Sequence, residues 1–290
     1  MLIVDLLQAN VAFYIANVAI LGLMLGSFLN VVIHRLPIMM EREWRQQCSE
    51  LAESPTGEEE PYNLVRPRSR CPKCGHSIGV LENIPIISYL IQKGRCRDCG
   101  TKISARYPTI EPLTAVSSAF VAWHFGFGWE SAGALIITWS LIALTFIDLD
   151  HHLLPDSITL PLLWLGLLAS LHPVFADTRS RIIGAVAGYL SLWLVYQLFK
   201  LVTGKEGMGY GDFKLLGMLG AWMGRQALPV IIIISSLVGA VVGITLILFR
   251  LHERANPISF GPYLAAAGWI TLLWGEEITG FYFRFAGISH

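Results

Sequence analysis

The sequence predicts an all-α polytopic membrane protein of about eight transmembrane helices, interrupted by one small polar insert. Three observations predict it. Of 290 residues, 54% are hydrophobic and 14% charged, against roughly 25% charged in a soluble domain, and the mean hydropathy is +0.56. Apolar runs long enough to cross a bilayer recur along the chain. Finally, residues 36–105 hold ten Lys/Arg and nine Asp/Glu, which is 19 of the 42 charged side chains, together with all five cysteines. Lys+Arg 21 against Asp+Glu 21 leaves a net charge of zero. With no basic excess, no nucleic-acid partner is expected; lipid is the expected surrounding.

Crossing a ~30 Å hydrocarbon core takes about 20 apolar helical residues, because lipid offers no partner to an open backbone amide. The stretches are 11–33, 107–126, 131–147, 157–175, 182–202, 213–224, 228–249 and 260–283. Three regions follow: an N-terminal transmembrane helix in 1–35, a cytoplasmic insert in 36–105, and a helix bundle in 106–290. No Lys or Arg precedes Arg35, so the first stretch is expected to stay as a signal-anchor-like helix and not to be cleaved. The sixth stretch is short enough to be tilted, buried or re-entrant. If all eight cross, the insert and the 148–156, 203–212 and 250–259 loops share one face. That face carries thirteen Lys/Arg near helix ends, Arg250 and Arg254 among them, against Arg179, Arg181, Arg225 and Arg284 on the other. The positive-inside rule makes it cytoplasmic. Trp44, Trp129, Trp139 and Trp222 stand near segment ends as expected interfacial anchors.

Within the insert, Cys71-Pro-Lys-Cys74 and Cys96-Arg-Asp-Cys99 form two C-x2-C knuckles separated by 21 residues, spacing that lets four thiolates converge on one zinc ion. A reducing cytoplasmic side disfavours disulfides, and Gly75 and Gly100 suit the tight turn after each knuckle. Four thiolates close the coordination sphere, so the zinc is expected to be structural, folding a segment with little core of its own. Cys48 stands apart as a spare thiol, and His76 reads as a surface residue.

Carboxylates mark the other notable feature. The third stretch ends in Ile147-Asp148-Leu149-Asp150-His151-His152-Leu153-Leu154-Pro155-Asp156, and Gly207-Met208-Gly209-Tyr210-Gly211-Asp212-Phe213-Lys214 follows the fifth. Span parity puts Asp148 and Asp212 on one face. Ionisable groups at this depth are costly and point to function. Two carboxylates within hydrogen-bond reach share a proton, one acting as general base toward a water and the other donating to a peptide carbonyl. An interfacial Asp also serves as a helix cap or a solvated charge, and physics alone leaves both readings open. Gly207, Gly209 and Gly211 are expected to let backbone approach a substrate and to use φ > 0 in a tight turn. Lys214 is read as local charge support or a snorkelling cation, and Asp156 as the cap of the fourth helix.

These residues resemble the type IV prepilin leader peptidases of bacteria, which are also N-methyltransferases. The likeness runs along most of the chain. It includes Gly26-Ser27-Phe28-Leu29-Asn30 with His34-Arg35, the two knuckles, Asn83-Ile84-Pro85, Arg106-Tyr107-Pro108 with Glu111, the 148–156 run, and Gly209-Tyr210-Gly211-Asp212-Phe213-Lys214, which matches that family's GxGD signature. Phe260-Gly261-Pro262-Tyr263 is similar to the family's last-helix entrance. The resemblance implies an inner-membrane aspartic endopeptidase that removes the leader of prepilins and type II secretion pseudopilins after a glycine, on the cytoplasmic side. It then implies methylation of the new N-terminal amine with S-adenosylmethionine. The catalytic pair is carried to Asp148 and Asp212, supported by Gly209, Gly211 and Lys214. No residue is assigned to the methyl donor. Without a G-x-G-x-x-G loop after a strand, its site is sought around the insert, at Glu82, Arg106 and Glu111.

The alternative class is a cation- or proton-coupled transporter, which wants carboxylates near helix midpoints, whereas these cluster at one interface. A zinc-knuckle docking protein needs only an anchor, far less than eight helices. A serine or His-Glu-x-x-His metalloprotease lacks its motif here.

Overall fold

A computed structural model describes residues 2–52, 61–171, 175–249 and 259–285. In chain order its helices are α1 (Leu2–Ala9), α2 (Val11–Leu51), α3 (Ile87–Ile91), α4 (Tyr107–Phe125), α5 (Trp129–His151), α6 (Asp156–Ala169), α7 (Thr178–Thr203), α8 (Tyr210–Met223), α9 (Ala227–Leu248) and α10 (Gly261–Phe285). Each of the eight apolar stretches forms a helix. Among the described residues, β structure is confined to two isolated bridges in the insert. Four helices, α2, α5, α7 and α9, have both the length and the hydropathy to cross a membrane. Helices α6 and α8 have 14 residues each, about 21 Å at 1.5 Å per residue, short of a ~30 Å core. The chain divides into two compact units, Met1–Ser131 and Ala132–His290.

In the first unit α2 packs on α4. A Cβ on Gly22 would stand 2.9 Å from the Ala115 Cα, and one on Gly26 would stand 2.8 Å from the Glu111 Cα. Small residues four apart thus let two backbones touch, the packing that replaces hydrophobic drive inside lipid. The Tyr14 and Ser131 hydroxyls share a buried hydrogen bond of 2.7 Å. Helix α2 does not stop where its apolar stretch does. It runs through Arg35 and Pro37 to Leu51, because residues 38–51 are mostly good helix formers with i,i+4 partners such as Glu41–Arg45 and Gln46–Glu50.

The second unit is built around α8. Its Phe213, Leu215, Leu216, Met218, Leu219 and Ala221 are wholly buried, and α6, α7, α9 and α10 pack against it. The short sixth segment is therefore a core helix, apolar all round because it has neighbours all round. Glycines again set the closest approach: a Cβ on Gly188 would lie 2.7 Å from the Leu216 carbonyl oxygen, and one on Gly220 would collide with the Gly184 carbonyl.

Two expectations fail in this unit. Trp222 is no interfacial anchor; it is buried, lies over Gly166 and donates to the Leu162 carbonyl at 2.9 Å. Arg181, counted in the sequence among the cations near helix ends, is turned inward as well. It is wholly buried, donating to Ala176 O at 3.0 Å and Gly166 O at 3.2 Å. Distance from a segment end does not say which face of a helix a residue occupies. Trp44 and Trp129 are exposed, while Arg250 and Arg254 of the cytoplasmic count lie outside the described residues.

Candidate active site and metal centre

Leu154, just before α6, lies against the N-terminal ends of α8 and α10, and α10 enters beside Asp148 at the end of α5. Asp148 sits in the last turn of α5 and Asp212 in the first turn of α8, and both are buried. They are 64 positions apart in the chain, yet Asp212 lies within electrostatic reach of Asp148. A Cβ on Gly211 would stand 2.7 Å from the Leu154 Cβ; one on Gly261 would stand 3.2 Å from the Leu154 Cδ1 and would collide with Asp148 Oδ2. Asp148 Oδ2 is buried and has no hydrogen-bond partner among the described residues. The main chain of Asp148 is engaged, its carbonyl accepting from His152 N at 2.9 Å and Ser259 Oγ at 3.1 Å.

Asp212 is not the N-cap of its helix but stands three residues beyond it. Gly209 holds the N-cap position in extended conformation (φ −80°, ψ 149°) with no side chain to offer, and the Asp212 amide donates to the Gly209 carbonyl at 3.3 Å. From the first turn of α8 the Asp212 carboxylate faces back toward the Gly209 amide. The three glycines do not take the positive φ expected of them. Positive φ in this turn falls at Gly204 and not at Gly207, Gly209 or Gly211. Gly207 and Gly211 serve close approach, a Cβ there standing 2.7 Å from the Phe199 ring and from Leu154 respectively.

Asp156 also differs from expectation, and Lys214 takes the charge-supporting one of its two readings. Pro155 is the N-cap of α6, without a side-chain cap, and Asp156 turns to Lys214, whose Nζ donates to both carboxylate oxygens at 2.7 Å. Lys214 is thus tied across from α8 to the start of α6 instead of reaching for headgroups.

The insert holds the second constellation. Sγ atoms of Cys71, Cys74, Cys96 and Cys99 all lie within 4.8 Å of one another and can hold one metal ion; Cys71–Cys99 is 3.8 Å and Cys74–Cys96 3.9 Å. Each knuckle is a small hairpin. Cys71 N donates to His76 O at 2.8 Å and Gly75 N to Cys71 O at 2.9 Å; Cys96 N donates to Thr101 O at 2.8 Å and Gly100 N to Cys96 O at 3.0 Å. Gly75 (φ 74°) and Gly100 (φ 66°) take the left-handed turn that closes each one. The sulfurs compete for protons. A hydrogen bond with the Thr101 hydroxyl helps hold the Cys99 thiol down at about 6, while against the pull of the His76 amide partial desolvation and the neighbouring sulfurs push Cys74 up to about 12.

Sequence reasoning missed what joins the knuckles. His76 is a tie and not a mere surface residue, its ring nitrogens 3.1 Å from Glu82 Oε2 and 3.0 Å from Asp98 Oδ2. Its place two residues after a knuckle was the only available signal. Of the residues considered for the methyl donor, Glu82 accepts from Gly79 N at 3.0 Å and Glu111 from Ile86 N at 2.7 Å. Both carboxylates secure backbone. Leu154 is not singled out within the 148–156 run, since an aliphatic residue in a loop carries no chemical signal, and Gly261 is marked in the sequence only as part of the 260–263 run.

These features define a multi-pass helical membrane protein with a buried carboxylate pair and a four-cysteine cluster. Residues 20–125 match the model of the bacterial peptidase A24 N-terminal domain, and residues 135–244 that of the type IV leader peptidase family. The chain is 54% identical over 288 residues to the prepilin leader peptidase/N-methyltransferase of Pseudomonas aeruginosa, covering 99% of each. It is 59% identical over 272 residues to that of Aeromonas hydrophila, covering 93% of each, and 50% identical over 283 residues to that of Dichelobacter nodosus, covering 96% of this chain and 97% of the relative. No solved structure matches it. The chain belongs to the bacterial type IV leader peptidase family, peptidase A24.

Proposed function

We propose that this protein is a membrane endopeptidase that cleaves the leader of type IV prepilins and type II secretion pseudopilins after a glycine, then N-methylates the new N-terminus with S-adenosylmethionine. The observation that carries the reading is the convergence of buried Asp148 and Asp212 around Leu154, in a chain whose relatives bear that name. With one proton between them, one carboxylate takes a proton from the attacking water and the other donates to the scissile carbonyl oxygen. Low dielectric strengthens both interactions. Gly209, Gly211 and Lys214 support the loop that presents Asp212.

The same reading sets eight helices in the bacterial inner membrane, with carboxylates and insert facing the cytoplasm. A site at helix ends reaches a peptide bond near the headgroups, which suits a leader joined to a membrane helix. Zinc is the metal proposed for Cys71, Cys74, Cys96 and Cys99: four Zn–S bonds of about 2.3 Å place sulfurs about 3.8 Å apart, the separation seen for Cys71–Cys99. Such an ion is closed to water and holds the two hairpins together. S-adenosylmethionine supplies the electrophilic methyl group; no residues are assigned to it.

The test uses the protein purified in detergent with phospholipid, incubated with a prepilin and labelled S-adenosylmethionine. Asp148→Asn and Asp212→Asn, each shown to be folded, are expected to lose cleavage by about 10³-fold or more while still methylating a pre-cleaved pilin. Cleavage at the wild-type rate by either variant would remove that residue from the mechanism.

A further inference from the structure

We propose that Leu154 and Gly261 are positioning residues for the carboxylate pair, Leu154 acting as a spacer seated on two glycines that each adjoin one aspartate. This rests on reading Asp148 and Asp212 as the peptidase centre. Gly211 directly precedes Asp212, and a Cβ there would meet the Leu154 Cβ at 2.7 Å, Cδ1 at 3.2 Å and Cγ at 3.4 Å. At Gly261 a Cβ would meet Leu154 Cδ1 at 3.2 Å, Asp148 Cγ at 3.1 Å, and collide with Asp148 Oδ2. One aliphatic side chain therefore touches the backbone beside both carboxylates, and α10 enters against Asp148 at the one residue type that leaves its oxygen room.

The spacer is itself held. Leu154 lies between His152, whose amide bonds back to Asp148 O at 2.9 Å, and Asp156, which pairs with Lys214 at 2.7 Å. Ser259, two residues before Gly261, donates to the same Asp148 carbonyl at 3.1 Å. The short 152–156 turn is thus fastened to α5 at one end and to α8 at the other, with Leu154 inserted between. Leu154 is half-buried, and its contacts with Gly211 and Gly261 fix how closely the starts of α8 and α10 approach one another beside the two carboxylates. Misplacing a catalytic group by about 1 Å costs on the order of 10²-fold in rate. The Phe260-Gly261-Pro262 motif at the start of α10 acquires a role by this account.

The experiment compares cleavage kinetics of Leu154→Ala, Leu154→Met and Gly261→Ala in the full-length protein, with methylation of a pre-cleaved pilin and thermal stability measured on the same samples. Leu154→Ala and Gly261→Ala are expected to lower kcat by about 10- to 100-fold with KM, methylation and melting temperature near wild type. Leu154→Met, which keeps the volume, is expected to stay within about threefold of wild type. A wild-type kcat in Leu154→Ala or Gly261→Ala overturns the proposal. So does a loss of methylation or stability that parallels the loss of cleavage, which marks a merely structural role, and so does a Leu154→Met as slow as Leu154→Ala. Asp148→Asn and Asp212→Asn are run beside them: if either cleaves, the reading of the pair itself fails, whereas inactive aspartate variants with fast Leu154 and Gly261 variants leave the pair standing and remove only the spacer.

Discussion

The cysteine insert and the helix unit around α8 both bring distant residues to one point, by opposite physical means. In the insert, Cys71 and Cys99 approach to 3.8 Å across a segment whose largest regular helix is the five-residue α3. Little apolar surface is buried there. Around α8 nearly every side chain of the helix is buried, and glycine contacts bring α7 into backbone contact with it. A site made by ligands depends on what they hold; a site made by packing depends on every neighbour's volume. The two regions should therefore fail differently.

The largest effect expected is in the insert. Removal by a chelator of the metal held by the four cysteines, or Cys71→Ser, should unfold the insert and expose 61–106 to protease, because binding energy in such sites is folding energy. Helices α5 to α10 should keep their protection from hydrogen exchange. Simultaneous loss of protection in both regions would erase the contrast.

Next comes cleavage as a function of pH. Below the working range both carboxylates are protonated and no base remains; above it both are ionised and no acid remains, so kcat should fall on each side, with apparent values that belong to the pair. A flat profile with chemistry rate-limiting would contradict the shared proton.

Smaller again is Gly220→Ala. Its Cβ would collide with the Gly184 carbonyl, and forcing α7 from α8 should cost about 1–3 kcal/mol, read as a lower melting temperature in detergent, with the insert's metal content unchanged. The smallest effect belongs to Lys214→Met or Asp156→Asn. The pair is partly exposed, 28% and 54%, so its loss should cost under about 1 kcal/mol. A double-mutant cycle on stability measures it, and a coupling of several kcal/mol would show that the latch on the 152–156 turn is far stiffer than its exposure implies.

How much was legible follows the same division. Asp148 and Asp212 stood out because a charge at the end of an apolar run is costly, and the knuckles because cysteine spacing is local. The sequence leaves Lys214 between local charge support and snorkelling because its partner lies 58 positions away and nothing near it in the chain names Asp156. Asp156 was read as a cap from the neighbours it has in sequence, while Pro155 in fact occupies that position. Gly211 looked like a source of backbone freedom, but its use is to admit Leu154.

The sequence by itself determined which segments become helices, that four of those described are long and apolar enough to cross a membrane, and that four cysteines can converge, since hydropathy and short spacing are properties of neighbouring residues. Only the tertiary structure decided that α8 is the buried centre, that Trp222 and Arg181 face inward, and that one leucine sits between the glycines beside Asp148 and Asp212. Those outcomes depend on which helix faces pair and how their volumes interlock, and that is settled by residues dozens of positions apart.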